Sequence, residues 1–189
     1  MKYFFVLCFL IIAPLAYGQH NSILTYPDGS TYEGDTLGKI RHGQGTCTYK
    51  NGDKYIGHWE NDLQNGPGTL IEKNGTLYKG TYVNGRLNGL GECFLPDGSH
   101  YEGMFRDDKF NGQGSFFYPN GDKYIGNWVD GKKEGQGVFH HQDGNEENGI
   151  WKDNKFTGPS MKAPEPKPNS SATVPQPESK KPGQKKKTK

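Results

Sequence analysis

Aromatic and glycine residues recur along this chain in one pattern with a period of 23 residues. Each copy opens on Tyr-x-Gly, and in most copies a further aromatic residue follows two positions later. The opening tyrosines are Tyr32, Tyr55, Tyr78, Tyr101 and Tyr124. Because successive side chains of a β-strand point to opposite faces, this spacing places the tyrosine, the glycine and the second aromatic residue on one face. The pattern therefore predicts a β-strand with one aromatic face.

Each copy continues with a short polar link and a Gly-x-Gly segment, which predict a hairpin turn and a second strand. Links such as Asn84-Gly85 and Asp130-Gly131 contain residues that adopt positive φ in tight turns. The copy closes on Asn-Gly or Asp-Gly, which turns the chain into the next hairpin. Glycine weakens a strand, so its recurrence needs a structural reason. We expect these glycines to make room for tyrosine and tryptophan rings that lie flat on the backbone.

The copies form one continuous array over residues 19–160. A half copy at 21–31 precedes the five full copies, and a degraded copy at 147–160 follows them, with Glu147 in place of the opening tyrosine. Atypical end copies are typical of the caps of stacked repeats. Because each copy packs only against its neighbours, we expect an all-β fold that is a single-layer, elongated antiparallel ribbon of stacked β-hairpins.

The pattern resembles the MORN (membrane occupation and recognition nexus) repeat. The resemblance is carried by Tyr101-Glu102-Gly103-Met104-Phe105, by Asn111-Gly112-Gln113-Gly114 and by Tyr118-Pro119-Asn120-Gly121-Asp122, and it covers about residues 21–160. It implies a ribbon of stacked hairpins that acts as an interaction module, because such arrays scaffold proteins at membranes, self-associate and have been associated with phospholipid head groups. A protein partner or a second copy of the chain is the partner that it implies, with anionic lipid as the alternative.

The beginning of the chain differs from the array in composition. Residues 1–18 contain Lys2, an apolar run and Ala16-Tyr17-Gly18, which is the layout of a secretory signal peptide cleaved near Gly18-Gln19. The apolar run is shorter than the ~20 residues that span a bilayer. We therefore expect a protein that is secreted or located in the periplasm or cell envelope, and an uncleaved membrane anchor is the alternative.

The end of the chain, residues 161–189, is rich in Pro, Ser and Lys and contains a single Val and no aromatic residue. Such a segment buries too little apolar surface to offset the entropy of ordering, so we expect a disordered tail. The tail carries eight Lys and two Glu, a net charge of +6, whereas residues 19–160 carry 14 basic and 19 acidic residues, a net charge of −5. The tail either keeps the protein soluble or attracts an anionic lipid or another polyanion. Its candidate electrostatic residues are Lys180, Lys181, Lys185, Lys186, Lys187 and Lys189.

Composition and motifs do not favour an enzyme. Glycine accounts for 28 of the 189 residues and aromatic residues for 13%, which disfavours a helical bundle. The glycine-rich segments lack the following helix and the Lys-Ser/Thr of a phosphate-binding loop, and no nucleophile or paired-acid signature stands out. We expect no catalytic residue, no cofactor, no metal ion and no nucleic acid partner.

The two cysteines of the array, Cys47 and Cys93, occupy the same repeat position two periods apart. Stacking separates them by roughly 20 Å, beyond the ~7 Å Cα distance that a disulfide bridges, so we expect no intrachain disulfide. They are either small buried residues or partners in an intermolecular disulfide. Separately, Asn74 and Asn169 match the acceptor pattern for N-glycosylation.

The second aromatic residues of the copies form the candidate binding face. In a ribbon one layer thick, the rings either pack on the glycine backbone or form an exposed apolar patch that binds a partner. As the binding face we predict Trp59, Tyr82, Phe105, Trp128 and Trp151. The predicted function is a non-enzymatic scaffold that binds a protein partner or itself through this face. The alternative is a peripheral binder of anionic phospholipid or another polyanion, aided by the basic tail.

Overall fold

The structure, a computed structural model, describes residues 22–159 as one antiparallel sheet of 13 strands. The strands are β1 Ser22–Thr25, β2 Thr31–Leu37, β3 Ile40–Thr48, β4 Lys54–Glu60, β5 Leu63–Ile71, β6 Leu77–Val83, β7 Arg86–Phe94, β8 His100–Arg106, β9 Lys109–Phe117, β10 Lys123–Val129, β11 Lys132–His140, β12 Glu146–Lys152 and β13 Lys155–Pro159. They lie in the sheet in the order of the sequence. The prediction of an all-β ribbon of stacked hairpins is confirmed.

Several features lie outside this range. The signal peptide predicted at 1–18 and the tail predicted at 161–189 belong to the parts of the chain that the structure does not describe. Within residues 22–159 the chain forms strands and turns, and no helix there is long and apolar enough to cross a bilayer.

Each full hairpin closes through a two-residue turn. Asn84 and Gly85 have φ angles of 49° and 84°, and Asp130 and Gly131 have φ angles of 48° and 81°. Two successive residues with positive φ form the type I′ turn, whose twist matches that of the flanking strands. The tight turns predicted at these two links are therefore confirmed.

A β-bulge interrupts each hairpin beside the second aromatic position. In the hairpin of β8 and β9, the register shifts between Gly103 and Phe105. The hydroxyl of Tyr101 donates a hydrogen bond to the carbonyl oxygen of Met104 at 2.9 Å, at the point where the ladder is disrupted. The same bond joins Tyr32 to Asp35, Tyr55 to His58 and Tyr124 to Asn127. The opening tyrosine therefore satisfies a backbone group that the bulge exposes.

The second glycine of the Gly-x-Gly segment lies directly under the opening tyrosine. A Cβ on Gly114 would overlap the ring and hydroxyl of Tyr101, and a Cβ on Gly68 would overlap those of Tyr55. Only glycine leaves room for a ring at this position. The expectation that glycine accommodates flat-lying rings is therefore confirmed for these copies.

The core lies on the face of the sheet that carries the opening tyrosines and the second aromatic residues, called here the ring face. The ring of Tyr55 contacts those of Trp59 and Tyr82 edge to face, with centroids 5.1 and 5.0 Å apart. Tyr101 and Tyr124 contact Trp128 in the same way, at 5.5 and 5.3 Å. Such pairs contribute about 0.5–1.5 kcal/mol each beyond their buried area. Interlocking rings thus take the place of an aliphatic core and join each copy to the next.

Candidate interaction surface

The five residues predicted as the binding face belong to the core. Their exposed fractions are 1% for Trp59, 2% for Tyr82, 3% for Phe105 and 4% for both Trp128 and Trp151. The expectation that these rings form an exposed face is therefore wrong. The physical reason is that neighbouring rings cover one another. A tyrosine of the preceding copy lies against Trp59, Tyr82, Trp128 and Trp151, and Phe105 packs against Tyr101 and Phe110, so a single layer buries its own aromatic residues.

Three of these rings are also hydrogen-bonded to the backbone. The indole N–H groups donate to glycine carbonyl oxygens over 3.2 to 3.3 Å, from Trp59 to Gly45, from Trp128 to Gly114 and from Trp151 to Gly137. Each accepting glycine belongs to the preceding copy. The tryptophans therefore fix the packing between adjacent copies, which is a structural role.

Exposed apolar side chains lie on the other side of the sheet, called here the opposite face. They alternate along the strands with the buried rings and include Ile23, Ile56, Leu90, Phe94, Met104, Ile125 and Ile150. Leu90 on β7 is 74% exposed and pairs across the strands with Met104 on β8, which is 38% exposed. The opposite face, and not the ring face, offers this apolar surface to a partner.

The aromatic part of the opposite face lies on β7, β8 and β9. Phe94, His100 and Phe117 occupy one cross-strand row and stack as a ladder. The His100 ring lies 5.3 Å from the Phe94 ring and 4.4 Å from the Phe117 ring, with interplanar angles of 8° and 5°. We call this ladder, together with Leu90 and Met104, the opposite-face patch.

Two carboxylates divide the opposite-face patch. Glu92 and Glu102 pair directly across β7 and β8, between the ladder and the Leu90–Met104 pair. Like charges in directly opposite positions are unfavourable. Lys79 lies 3.5 Å from Glu92, and the His100 ring lies 2.8 Å from Glu102. Apolar anchors on both sides of a pair of carboxylates suit a partner segment whose apolar side chains flank a basic residue.

The predicted glycosylation site at Asn74 lies in a closing turn and is exposed. Its side-chain oxygen accepts a hydrogen bond from the backbone N–H of Thr76 at 2.7 Å, and its amide nitrogen donates to Glu72 at 3.0 Å. Asn169 and the tail lysines, Lys180, Lys181, Lys185, Lys186, Lys187 and Lys189, lie outside the described residues. Glycosylation and the electrostatic role of the tail stay predictions.

Both cysteines of the array are free and buried, with exposed fractions of 0% for Cys47 and 1% for Cys93. The expectation that they form no intrachain disulfide is confirmed. Burial raises the pKa of the Cys93 thiol to about 11 and also raises the pKa of Cys47. Both residues therefore pack as small apolar side chains in the neutral thiol form.

We expect neither thiol to react with iodoacetamide in the folded protein at neutral pH, because the thiolate is the reactive form and burial disfavours it. Mass spectrometry of the alkylated peptides follows each cysteine separately, and both should be modified once urea unfolds the chain. Modification of Cys93 in the folded protein, or a disulfide-linked dimer through either residue, would contradict this prediction.

Comparison with protein families gives a repeated match. The model of the MORN repeat matches the chain five times, at residues 32–54, 55–76, 78–100, 101–123 and 124–146. No curated protein sequence matches the chain.

Two solved structures resemble the chain at low sequence identity. The SAS-4 (dCPAP) TCP domain of Drosophila melanogaster, in complex with a proline-rich motif of Ana2 (dSTIL), is 13% identical with a TM-score of 0.33, over 71% of this chain and 89% of that one. The G-box domain of the microcephaly protein CPAP is 15% identical with a TM-score of 0.32, over 68% of this chain and 73% of that one. Both scores are too low to assign a shared fold.

The family assignment rests on the repeat matches. Together they cover more than half of the chain, and four of the five begin on an opening tyrosine whose ring lies in the buried core of the ring face. The pattern recognised in the sequence and the packing seen in the structure thus describe the same unit. The chain belongs to the MORN repeat family.

Proposed function

We propose that this protein is a non-enzymatic scaffold that binds a protein partner through its opposite-face patch. MORN repeats support a repeat-based binding scaffold. The observation that carries the choice of surface is Leu90, which is 74% exposed in the middle of a sheet whose core lies on the other face. Exposed apolar patches of this kind mark interaction sites.

The chemistry of the patch indicates what kind of partner it suits. Phe94 and Phe117 offer flat aromatic surface, and Leu90 and Met104 offer flexible aliphatic surface. Flexible and aromatic side chains together adapt to a range of apolar anchors. A second copy of the chain is a further candidate partner, because β1 and β13 leave the two edges of the described sheet open to pairing.

We also propose a location for this scaffold. The predicted signal peptide at 1–18 supports a scaffold that works outside the cytoplasm, in a secreted or envelope-associated form. The alternative function, binding of anionic phospholipid or another polyanion, draws its support from the lysines of residues 161–189.

The test places a photo-crosslinking amino acid at position 90 of the full-length chain in the cells that make it. We expect a covalent adduct with one protein, because that side chain projects from the centre of the patch. The adduct should be lost when Met104→Glu is added, since a charge next to position 90 would have to be desolvated in the complex. An adduct of twice the mass of the chain would identify self-association.

The matched control places the same crosslinker at Lys132, which is exposed and lies on β11, away from the patch. The Met104→Glu chain should unfold at the same urea concentration as the native chain, because position 104 is on the surface. Equal adducts from positions 90 and 132, or no adduct from position 90, would contradict the proposal.

A further inference from the structure

The third copy departs from the packing of the ring face and opens a groove there. In the second copy, the ring of Tyr55 covers the glycine below it. In the third copy, a Cβ on Gly80 would meet the side chain of Leu87 and not that of the opening tyrosine, Tyr78. Tyr78 is only half-buried and lines a groove of about 670 Å³, called here the tyrosine groove.

Two other copies fill the equivalent space with a cation of their own. In the first copy, the guanidinium of Arg41 lies 4.3 Å from the ring centroid of Trp59 and 5.1 Å from that of Tyr26. In the fifth copy, the ammonium of Lys133 lies 4.7 Å from the ring centroid of Trp151. Cations are attracted to the faces of aromatic rings. The geometry of the repeat therefore forms an aromatic site for a cation at this position.

The second and third copies keep the aromatic surroundings but supply no cation. Gln64 and Leu87 occupy the repeat positions of Arg41 and Lys133. Glu72, in the second copy, occupies the position at which the half copy, the first copy and the fourth copy have a tyrosine. The rings that line the groove are those of Tyr49, Tyr78 and Tyr82. The site is thus aromatic, has lost its internal cation and has gained a carboxylate.

An unpaired hydroxyl also marks the groove. Tyr82 lines it, is 2% exposed, and has a hydroxyl with no hydrogen-bond partner among the described residues. The residue at the same position of the preceding copy, Trp59, donates to the carbonyl oxygen of Gly45 at 3.2 Å. Leaving a buried polar group unpaired costs about 1–3 kcal/mol. The Tyr82 hydroxyl is itself covered by protein, so it marks imperfect packing below the groove and the ring of Tyr82 lines it.

The charged residues that line the groove indicate the sign of the charge that a ligand carries. Asp28, Asp53, Glu72 and Asp108 line the groove, together with the basic residue Lys50. Among the ion pairs formed by the described residues, none involves any of these four carboxylates. Three tyrosine rings and four carboxylates suit an ammonium group.

We propose that the tyrosine groove binds lysine side chains of the chain's own C-terminal segment, residues 161–189. The segment carries a net charge of +6 and residues 19–160 carry −5, so the two parts attract each other. A lysine ammonium in the groove donates to Glu72 or Asp108, and it lies against the ring of Tyr78.

The length of the segment permits this contact within one chain. The last described residue, Pro159, lies on β13, and the groove centres on β6, seven strands away in the sheet. At about 4.8 Å per strand this separation is about 34 Å. The 21 residues from Pro159 to Lys180 reach about 70 Å when extended. The cluster from Lys180 to Lys189 therefore reaches the groove with chain to spare.

Docking in the groove has a regulatory consequence that is independent of the opposite-face patch. A lysine cluster held in the groove is not free to contact an anionic surface. A competing cation or a high salt concentration would release it, because exposed charges are screened. The groove thus controls when the basic segment is available.

Zero-length carbodiimide cross-linking of the full-length chain, at a concentration low enough to favour contacts within one molecule, tests the proposal. The reagent joins a carboxylate directly to an amine that touches it. We expect amide bonds between lysines of residues 180–189 and Asp53, Glu72 or Asp108, identified by mass spectrometry. These bonds should disappear at high salt.

The repeat offers a matched control for one of these carboxylates. Asp53 and Asp122 occupy the same position. Each accepts a hydrogen bond at 2.9 Å from a backbone N–H inside the next closing turn, that of Lys73 and that of Gln142 respectively. Asp122 does not line the groove. We expect cross-links to Asp53 at least about tenfold more abundant than those to Asp122, in line with ~1.4 kcal/mol of preferential contact.

Two substitutions change residues of the groove to residues that other copies already have at the same repeat position. Asp108→Asn copies Asn154, which accepts the same turn hydrogen bond, at 2.8 Å from the N–H of Lys133. Gln64→Lys copies Lys133, whose ammonium lies 3.2 Å from a tyrosine hydroxyl. Gln64→Lys should reduce cross-linking of the lysine cluster to Asp53, Glu72 and Asp108 about tenfold, because an internal cation then occupies the site.

Three outcomes would overturn the proposal. The first is equal cross-linking of the lysine cluster to Asp53 and Asp122. The second is undiminished cross-linking in Gln64→Lys, provided that its urea midpoint matches that of the native chain. The third is cross-linking only between two molecules, which would show that the lysine cluster does not reach its own groove.

Discussion

Replacing Gly103 with alanine is expected to lower the free energy of unfolding by about 3 kcal/mol. A Cβ at this position would lie 2.5 Å from the Cα of Gly114 and 2.5 Å from the hydroxyl oxygen of Tyr101. The tyrosine ring cannot simply swing away, because it stacks on Phe110 with the centroids 3.8 Å apart. Relief requires β8 and β9 to move apart, which weakens the ladder between them, or the Tyr101 hydroxyl to shift, which breaks its hydrogen bond to Met104. Urea denaturation followed by tryptophan fluorescence measures the loss.

Gly144→Ala is the matched control for this substitution. A Cβ on Gly144 meets nothing within 4 Å, but the residue has a φ of 90°. Adding a Cβ in a left-handed conformation costs about 1–2 kcal/mol. Gly103 is not among the glycines with positive φ, so the loss in Gly103→Ala comes from steric overlap and the loss in Gly144→Ala from backbone conformation. A Gly103→Ala chain as stable as the Gly144→Ala chain would contradict the role assigned to the glycine.

Replacing Trp128 with alanine is expected to lower the free energy of unfolding by about 3–5 kcal/mol. The ring is 4% exposed and contacts Tyr101 and Tyr124 edge to face. Its indole N–H donates to Gly114 at 3.3 Å, so the substitution removes a packing contact and a hydrogen bond between adjacent copies. Because stacked repeats depend on their interfaces, the loss should spread to both neighbouring copies. Urea denaturation again provides the measurement.

Trp128→Phe and Leu90→Ala complete the comparison. Trp128→Phe keeps an aromatic ring and loses only the hydrogen bond, so it should cost about 1 kcal/mol beyond the change in ring size. Leu90→Ala removes a side chain that is 74% exposed and should leave the urea midpoint unchanged. If Trp128→Ala instead kept full stability and abolished partner binding, the ring would be a binding residue, as its position in the repeat first indicated.

The fold could be predicted from the sequence because its determinants are local and repeated. The spacing of Tyr101, Gly103 and Phe105 places all three side-chain positions on one strand face, and Asn84-Gly85 specifies a tight turn. With five copies in phase, no other arrangement satisfies every copy at once. The bulge at Met104 was not predicted, since no residue type there distinguishes a bulge from a regular pair.

The binding face could not be predicted in the same way, because burial depends on packing between copies. The sequence places Trp59 and Trp128 on one face but does not show that a tyrosine of another copy covers each ring. One signal was present. Ile56 and Ile125 stand between the tyrosine and the glycine of their copies, so strand alternation puts them on the face away from the rings. An apolar residue at that position indicates a second apolar surface, because the rings and the glycine lie on the other face of the strand.

The tyrosine groove could not be predicted from the sequence, for a different reason. Leu87 and Glu72 are each unremarkable as single residues, and only their repeat positions reveal them as replacements. That Leu87 takes the place of the Tyr78 ring over Gly80 is a result of packing. The packing of tyrosine on glycine in the four similar copies does not predict how the third copy packs once its residues differ.

The strictly sequential strand order also bears on how the ribbon forms and how its length changes. Within residues 22–159, each strand pairs only with the strands that precede and follow it in the chain. The loops to be closed are short, so their entropic cost is small, and the contact order is low for a protein made of strands. Folding can begin in any hairpin and spread in both directions. For the same reason, gain or loss of one 23-residue copy changes the reach of the ribbon without rearranging any other pairing.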